Sequence, residues 1–323
     1  MSTKRLFTAL LAFTALTQAG MAQAQSPARP PSRIIVPFTP GGASDILARI
    51  IAPKLQEAWG HPVVVENKPG GGGHIGVELV AKSGKDSGLL VLSDLGTLAI
   101  GPSLQRLTYD LHRDLRPVTI VSFSPYLLVV HPQVPVKNVS ELIAYAKANP
   151  GKLNYATAGL GTNPHLAGLW LASRLGIDWV YVPSKGGSQA LNDMIAGQAD
   201  VFFNSLFATN PQVKNGKLRL LAVSSPKRLP AYPDTPAVIE LVPEFVTGSW
   251  QGILMSGDTP PEVAARVNQD VLKVLQGGEV REKISELGAN PIANSPAEMD
   301  RFLHDERGRW AKLIRDANLK IEQ

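Results

Sequence analysis

The sequence predicts an α/β protein of two lobes, with an open sheet in each lobe and a cleft between them. Three observations predict it. The chain of 323 residues can supply two lobes of roughly 100–150 residues each. Short apolar runs alternate with amphipathic segments in two successive series, followed by a helical tail. Three glycine-containing turns each sit between an apolar run and a helical segment, and in open α/β sheets ligands collect at such turns.

Composition narrows the class. Only 18% of residues are charged and 44% are hydrophobic, which excludes a disordered chain. The absence of cysteine excludes disulfides, thiolate metal sites, cysteine nucleophiles and a lipidated N-terminal cysteine. Residues 1–24 read as a signal peptide. Lys4 and Arg5 precede the apolar stretch from Leu6 to Leu16, and Ala22-Gln23-Ala24 supplies a small-x-small cleavage pattern. The stretch is shorter than the about 20 apolar residues that a membrane span requires. Cleavage after Ala24 leaves 299 residues and lowers the formal charge from +5 to +3. The expected product is exported and soluble. Its scattered basic residues and 6% aromatic content give no nucleic-acid signature.

The first series of elements begins with a buried strand at Arg33–Phe38, followed by the turn Pro40-Gly41-Gly42. Ser44 or Asp45 can cap the next helix, which carries Ile46, Leu47, Ile50, Ile51 and Leu55. Pro53 is expected to kink or divide it. Val63–Val65 is a strand, Gly70–Gly73 a loop, Gly76–Ala81 a helix and Leu89–Leu92 a strand. The second series contains the long apolar stretch Val118–Val130, a helix from Ser140 to Ala148, and the strand Asn154–Thr157. A helix at Pro164–Leu175, a strand at Trp179–Val182 and a helix ending near Gly197 follow. Asp200–Phe203 and Leu218–Val223 add strands, and after Met255 three amphipathic helices start at Pro260-Pro261, Glu279 and Pro296. Alternating strands and helices imply parallel sheets with right-handed crossovers. Packing the tail on the first series gives one lobe of residues 25–124 plus 248–323 and a second of residues 125–247.

The candidate ligand site lies on the glycine turns. Pro40-Gly41-Gly42-Ala43-Ser44, Gly159-Leu160-Gly161-Thr162 and Lys185-Gly186-Gly187-Ser188 each place small residues before a helix. A helix N-terminus exposes unpaired N–H groups and a partial positive charge, so it holds a carboxylate or phosphate without a basic side chain. For any one turn, tight chain reversal is the simpler explanation; three turns of one kind in a two-lobed exported protein favour binding. Gly71-Gly72-Gly73-His74-Ile75-Gly76 matches G-x-G-x-x-G, with Asp94 at the end of the next strand. However, Glu66–Gly70 separates the preceding strand from the first motif glycine, where a dinucleotide turn is immediate.

Catalytic constellations are sparse. The six histidines, at positions 61, 74, 112, 131, 165 and 304, form no H-E-x-x-H pattern, and no G-x-S-x-G elbow occurs. Asp45, Asp94 and Asp193 fit caps or turns as well as acid–base roles. Trp250 fits a core position better than a stacking platform, and the sequon Asn138-Val139-Ser140 reads better as a helix cap. No metal, cofactor or catalytic residue is expected. The alternatives are an exported α/β hydrolase or a dinucleotide-binding oxidoreductase.

The ordered motifs resemble a known family. Ile35-Val36-Pro37-Phe38 with Pro40-Gly41-Gly42 and Asp45, then Val65-Glu66-Asn67-Lys68-Pro69-Gly70, are followed by Gly96–Ile100, Gly161-Thr162 with His165, Lys185-Gly186 and Gly197–Asp200. This order and spacing is similar to the extracytoplasmic solute receptors of the tripartite tricarboxylate transporters, the Bug or TctC-like receptors. Ser184 departs from the family's usual tyrosine before Lys-Gly. The resemblance implies a periplasmic binding protein of Venus-flytrap form that captures a small carboxylate. Its partner would be a membrane transporter or a sensor kinase, and it would act as a monomer. It further implies that a proximal carboxylate sits between Pro40, Gly41, Gly42, Ala43, Ser44 and Asp45 on one side and Gly159, Gly161 and Thr162 on the other, with Phe38 as a wall. His165 could donate to a ligand, and Ser93, Thr97, Asn163, Lys185, Asn204 and Ser205 are candidates for reading the distal end.

Overall fold

A central feature of the fold is one strand that belongs to two sheets. The computed structural model describes residues 32–85, 87–104 and 106–316. The signal-peptide segment lies outside the described residues. The long strand β4, Leu115–Val130, pairs antiparallel with β9, Gly248–Ser256, from Leu115 to Pro125. From Tyr126 to Val130 it pairs instead with β7, Val201–Ser205, and β8, Arg219–Val223. The change of partner falls between Pro125, opposite Gly248, and Tyr126, opposite Ser205.

On the β9 side, β1 (Ser32–Val36) pairs in parallel with β2 (Val63–Asn67) and β3 (Leu89–Asp94), and β3 pairs antiparallel with β9. On the β7 side, β5 (Asn154–Thr157) pairs in parallel with β6 (Val180–Pro183) and β7. The short β10, Asn290–Pro291, joins β4. The sheets are therefore mixed, not parallel as expected. Strands that return through a helix are parallel; β4 and β9, which carry the chain across the sheets, run against their neighbours.

Ten α-helices surround the sheets among the described residues. They are α1 (Ala43–Trp59), α2 (His74–Ala81), α3 (Leu95–Leu104), α4 (Val139–Ala148), α5 (Asn163–Leu175), α6 (Gly187–Ile195), α7 (Leu206–Lys214), α8 (Pro261–Gln276), α9 (Gly278–Glu286) and α10 (Pro296–Asp316). The amphipathic tail forms α8, α9 and α10 as its spacing predicts. Asn138 caps α4 by accepting from the Glu141 N–H at 2.9 Å, the cap role preferred for the sequon.

Pro53 neither kinks nor divides α1, which runs unbroken through it. The proline stands on the exposed face, as does Arg49, whose carbonyl loses its usual partner there. The opposite face buries Leu47, Ala48, Ile51, Ala52 and Leu55 against Ile34, Val36 and Leu92. Burying an aliphatic side chain contributes about 1.5–3 kcal/mol, so this face outweighs a proline cost of about 3 kcal/mol. Around β7 a second core stacks Trp170 on Phe245 at 4.3 Å and Phe203 on Phe245 at 5.6 Å between ring centroids. Trp250 packs at 4.3 Å from Phe123 and 4.7 Å from Phe302, as a core residue.

Candidate functional site

Five helices start around one cavity. Its walls are Phe38, Gly42, Ala43 and Ser44 at the start of α1, Asp94 and Thr97 at the start of α3, and Ala158, Thr162 and Pro164 at the start of α5. Gly187 at the start of α6, Asn204 and Ser205 at the start of α7, Tyr126 of β4, and Ser249 and Gln251 of β9 complete it. The cavity volume is about 50 Å³, and no lysine, arginine or histidine is among these residues. Gly42, Thr162, Gly186 and Ser205, the residues preceding α1, α5, α6 and α7, make no side-chain cap bond. Their N–H ends and partial positive charges are directed at the same space. The cavity therefore offers an anion backbone N–H groups and no basic side chain.

On the cavity wall two buried donors lack partners. Asn204 Nδ2 and Ser205 Oγ make no hydrogen bond, although Asn204 is 5% and Ser205 3% exposed. A buried unsatisfied polar group costs about 1–3 kcal/mol, so their placement on the cavity wall points to a ligand that satisfies them. Gly187 permits the approach: a Cβ there would stand 3.0 Å from Asn204 Oδ1.

A polar relay holds the opposite wall. Ser44 Oγ donates to Gln251 Oε1 at 2.5 Å, and Gln251 Nε2 donates to Asp94 Oδ2 at 3.2 Å and also to Ser249 Oγ. Ser249 Oγ donates to the same Asp94 oxygen at 2.7 Å, while Asp94 Oδ1 accepts from the Thr97 N–H at 3.3 Å and caps α3. Burial raises the Asp94 carboxyl to about 6 against the lowering effect of these hydrogen bonds. Burial first, and the charge of Asp94 second, hold the Tyr126 phenol well above its ordinary value.

The sequence-predicted residues divide into two groups. Phe38, Gly42, Ala43, Ser44, Thr97, Thr162, Asn204 and Ser205 meet at the cavity. The others shape its loops from outside the wall. Asp45 accepts from the Gly41 N–H at 2.9 Å, from Asn67 Nδ2 at 3.0 Å and from Arg49, which locks the first turn against β2. Burial raises its carboxyl, but Arg49, Gly41 and Asn67 together hold it below its ordinary value. His165 Nδ1 accepts from the Gly161 N–H at 3.1 Å, and burial holds its imidazole down at about 4. It is neutral, its Nδ1 closes the Gly159–Gly161 turn, where φ is +124° and +77°, and Nε2–H is left as the ring's donor. Asn163 donates from Nδ2 to the Gly248 carbonyl at 2.7 Å and accepts from Thr247 Oγ1 at 2.9 Å, tying α5 to the start of β9. Pro40 and Lys185 are exposed, and Ser93 is buried behind the wall.

Gly187, from the third glycine turn, also lines the cavity, and Asp94, Tyr126, Ala158, Pro164, Ser249 and Gln251 complete the wall without having been singled out as ligand residues. One signal was present in the sequence. Ser249 and Gln251 flank Trp250, and a strand's period of two puts both polar residues on one face and the indole on the other. The glycine run Gly70–Gly73 has left-handed backbone throughout and does not line the cavity. A Cβ on Gly72 would lie 3.0 Å from the Leu160 carbonyl oxygen, so this loop packs on the β5–α5 turn. Among the described residues no group of three or more metal-ligating side chains occurs, and no helix is long and apolar enough to cross a membrane.

Comparison with known proteins decides the family. The tripartite tricarboxylate transporter family receptor pattern matches residues 47–319. The chain belongs to this family. Protein BugT of Bordetella pertussis is 36% identical over 299 residues, covering 92% of this chain and 91% of its own. The structure of the R. palustris protein Rpa4515 with adipate has a TM-score of 0.86 and 32% identity, covering 90% of this chain and 98% of that one. MatC from Rhodopseudomonas palustris with bound malate gives 0.84 and 29%, covering 88% and 98%. The fold of this TctC-like receptor is that of the two-lobed periplasmic binding proteins. The family is one of receptors, which decides against the hydrolase and oxidoreductase alternatives.

Proposed function

We propose that this receptor works in the periplasm, encloses a small carboxylate in the cavity at the starts of α1, α3, α5, α6 and α7, and delivers it to a membrane transporter of the tripartite tricarboxylate type. One observation carries the reading: Asn204 Nδ2 and Ser205 Oγ are buried, unpartnered donors at a cavity bordered by three helix N-termini without side-chain caps, those of α1, α5 and α6. Adipate and malate in the two structural relatives support the ligand class. The ligand carboxylate accepts from the turns at Pro40–Ser44 and Gly159–Thr162, through ordered water where the reach is long. Phe38 walls it, and Thr97, Asn204 and Ser205 read the remainder. Residues 25–124 with 248–323 form one lobe and 125–247 the other, and the switch of β4 between partners at Pro125 and Tyr126 supports that division. Ligand contacts to both lobes favour the closed form, which the transporter recognises. The receptor acts as a monomer after removal of residues 1–24, and a sensor kinase is the alternative partner.

The test is a thermal-shift screen of mono-, di- and tricarboxylates with the wild-type chain and the Asn204→Ala and Ser205→Ala variants. A ligand of the folded state adds about 2.7 kcal/mol of stability at a hundredfold excess over its Kd. Each variant should weaken the best ligand about tenfold, the scale of one lost hydrogen bond in a buried site. No stabilisation by any carboxylate, or full binding by both variants, would rule the proposal out.

A further inference from the structure

We propose that Asp94 restricts this receptor to ligands with a single carboxylate, because its own side chain already fills the place that a second carboxylate would take. The inference rests on the carboxylate-receptor reading above and deepens it.

The argument begins with the donors. Of the five helices that start at the cavity, α3 alone has its first turn capped by a carboxylate. Three groups on that wall could hold an incoming anion: the Thr97 N–H, the Ser249 hydroxyl and the Gln251 amide. All three donate to Asp94. A carboxylate has about four lone-pair positions, and these bonds occupy most of them. The α3 side of the cavity is thus an anion site with its anion built in. On the other side the turns before α1 and α5 are left for one external carboxylate, and the unpartnered Asn204 Nδ2 and Ser205 Oγ for the rest of the ligand.

Charge gives the same result. No lysine, arginine or histidine lines the cavity, so nothing cationic offsets a second ligand charge. Asp94 is 7% exposed, and Glu306 adds a further negative field to it. Two carboxylates brought together away from water cannot both ionise cheaply, and a diacid would bring its second charge toward Asp94. A neutral far end meets no such cost. Phe38, Tyr126, Ala158 and Pro164 supply apolar surface for it.

The experiment compares matched pairs in which one carboxylate becomes a neutral amide: succinate with succinamate, glutarate with glutaramate, and adipate with adipamate. Binding to the mature chain is measured by calorimetry near pH 8, where Asp94 is ionised. The wild type should bind the monoamide of the best pair about tenfold or more tightly than the diacid. In Asp94→Asn the preference should shrink to about threefold or less, chiefly through tighter diacid binding. Asparagine also caps helices, so α3 is retained. Asp94→Ser, a second capping residue without charge, checks that the change follows charge rather than the new amide. Equal or tighter binding of the diacid by the wild type, or an unchanged preference in both variants, overturns the proposal. If no member of any pair binds any of the three proteins, the carboxylate-receptor reading itself is overturned.

Discussion

The hydroxyls of Thr39 and Ser188 share a hydrogen bond of 2.6 Å across 149 residues of sequence. The first follows β1 and the second lies in the first turn of α6, so the bond joins the two sides of the cavity mouth. Ser188 Oγ also lies 3.4 Å from the Thr39 carbonyl oxygen. On the proposed division into lobes the bond spans both, so it would favour the closed form.

Replacing Thr39 with valine keeps the shape and removes the hydroxyl. A net hydrogen bond is worth about 0.5–1.5 kcal/mol, which corresponds to roughly 2- to 12-fold in Kd when it forms only on closure. The variant should bind its ligand more weakly by that factor and show a larger radius of gyration in solution scattering without ligand. Unchanged affinity together with unchanged scattering would show that the pair does not act on closure.

Gly186 makes the same seam possible by having no side chain. A Cβ there would stand 2.7 Å from Thr39 Oγ1, 3.0 Å from the Thr39 nitrogen and 3.4 Å from Phe38 Cβ. Gly186→Ala should therefore resist closure while leaving both sheets intact. Overpacking costs about 1–3 kcal/mol, or roughly 5- to 150-fold in ligand Kd. The melting temperature without ligand should stay close to that of the wild type. A large fall in that temperature would place the cost in the fold instead of in closure.

The sequence made the turns before α1, α5 and α6 visible, because each carries glycine at a sharp reversal. It did not show the starts of α3 and α7. There the strand passes into the helix without a loop residue, at Asp94-Leu95 and Ser205-Leu206, so no turn signal marks the change. Every described residue from Leu95 to Gly101 is buried, which leaves α3 no polar face for periodicity to reveal. The mixed sheets were hidden for a different reason. The pairing of β4 with β9 joins segments more than a hundred residues apart, and such a pairing leaves no local pattern. Asn163 was expected to read the distal end of a ligand, whereas its amide holds the Gly248 carbonyl and the Thr247 hydroxyl.

Asn163 therefore gives a structural prediction. Asn163→Ala would leave the Gly248 carbonyl and the Thr247 hydroxyl buried without their partners. At about 1–3 kcal/mol for each unsatisfied group, the variant should lose about 2–6 kcal/mol in urea unfolding. Its ligand affinity should fall far less than that of Asn204→Ala. A stable variant that cannot bind would instead give Asn163 a direct ligand role.

Acid stability follows from three buried groups with opposite signs. Burial holds His74 and His165 down at about 4 against the ordinary 6.5, and raises Asp94 from 3.8 to about 6. The histidine contributions are present above pH 6.5 and are lost as pH falls toward 4, because the unfolded chain takes up those protons first. Asp94 acts the other way: its contribution is present below 3.8 and is lost as pH rises through about 6. Between pH 7.5 and pH 5 each histidine therefore removes about 2 kcal/mol and Asp94 returns about 1 kcal/mol, a net loss of about 3 kcal/mol. Asp45, held below its ordinary 3.8, contributes little in this range. Urea unfolding at the two pH values should show that loss, and Asp94→Asn, which lacks the opposing group, should lose about 4 kcal/mol. An Asp94→Asn variant that lost less than the wild type would show that Asp94 is ionised in the folded chain throughout this range, with its carboxyl not raised by burial.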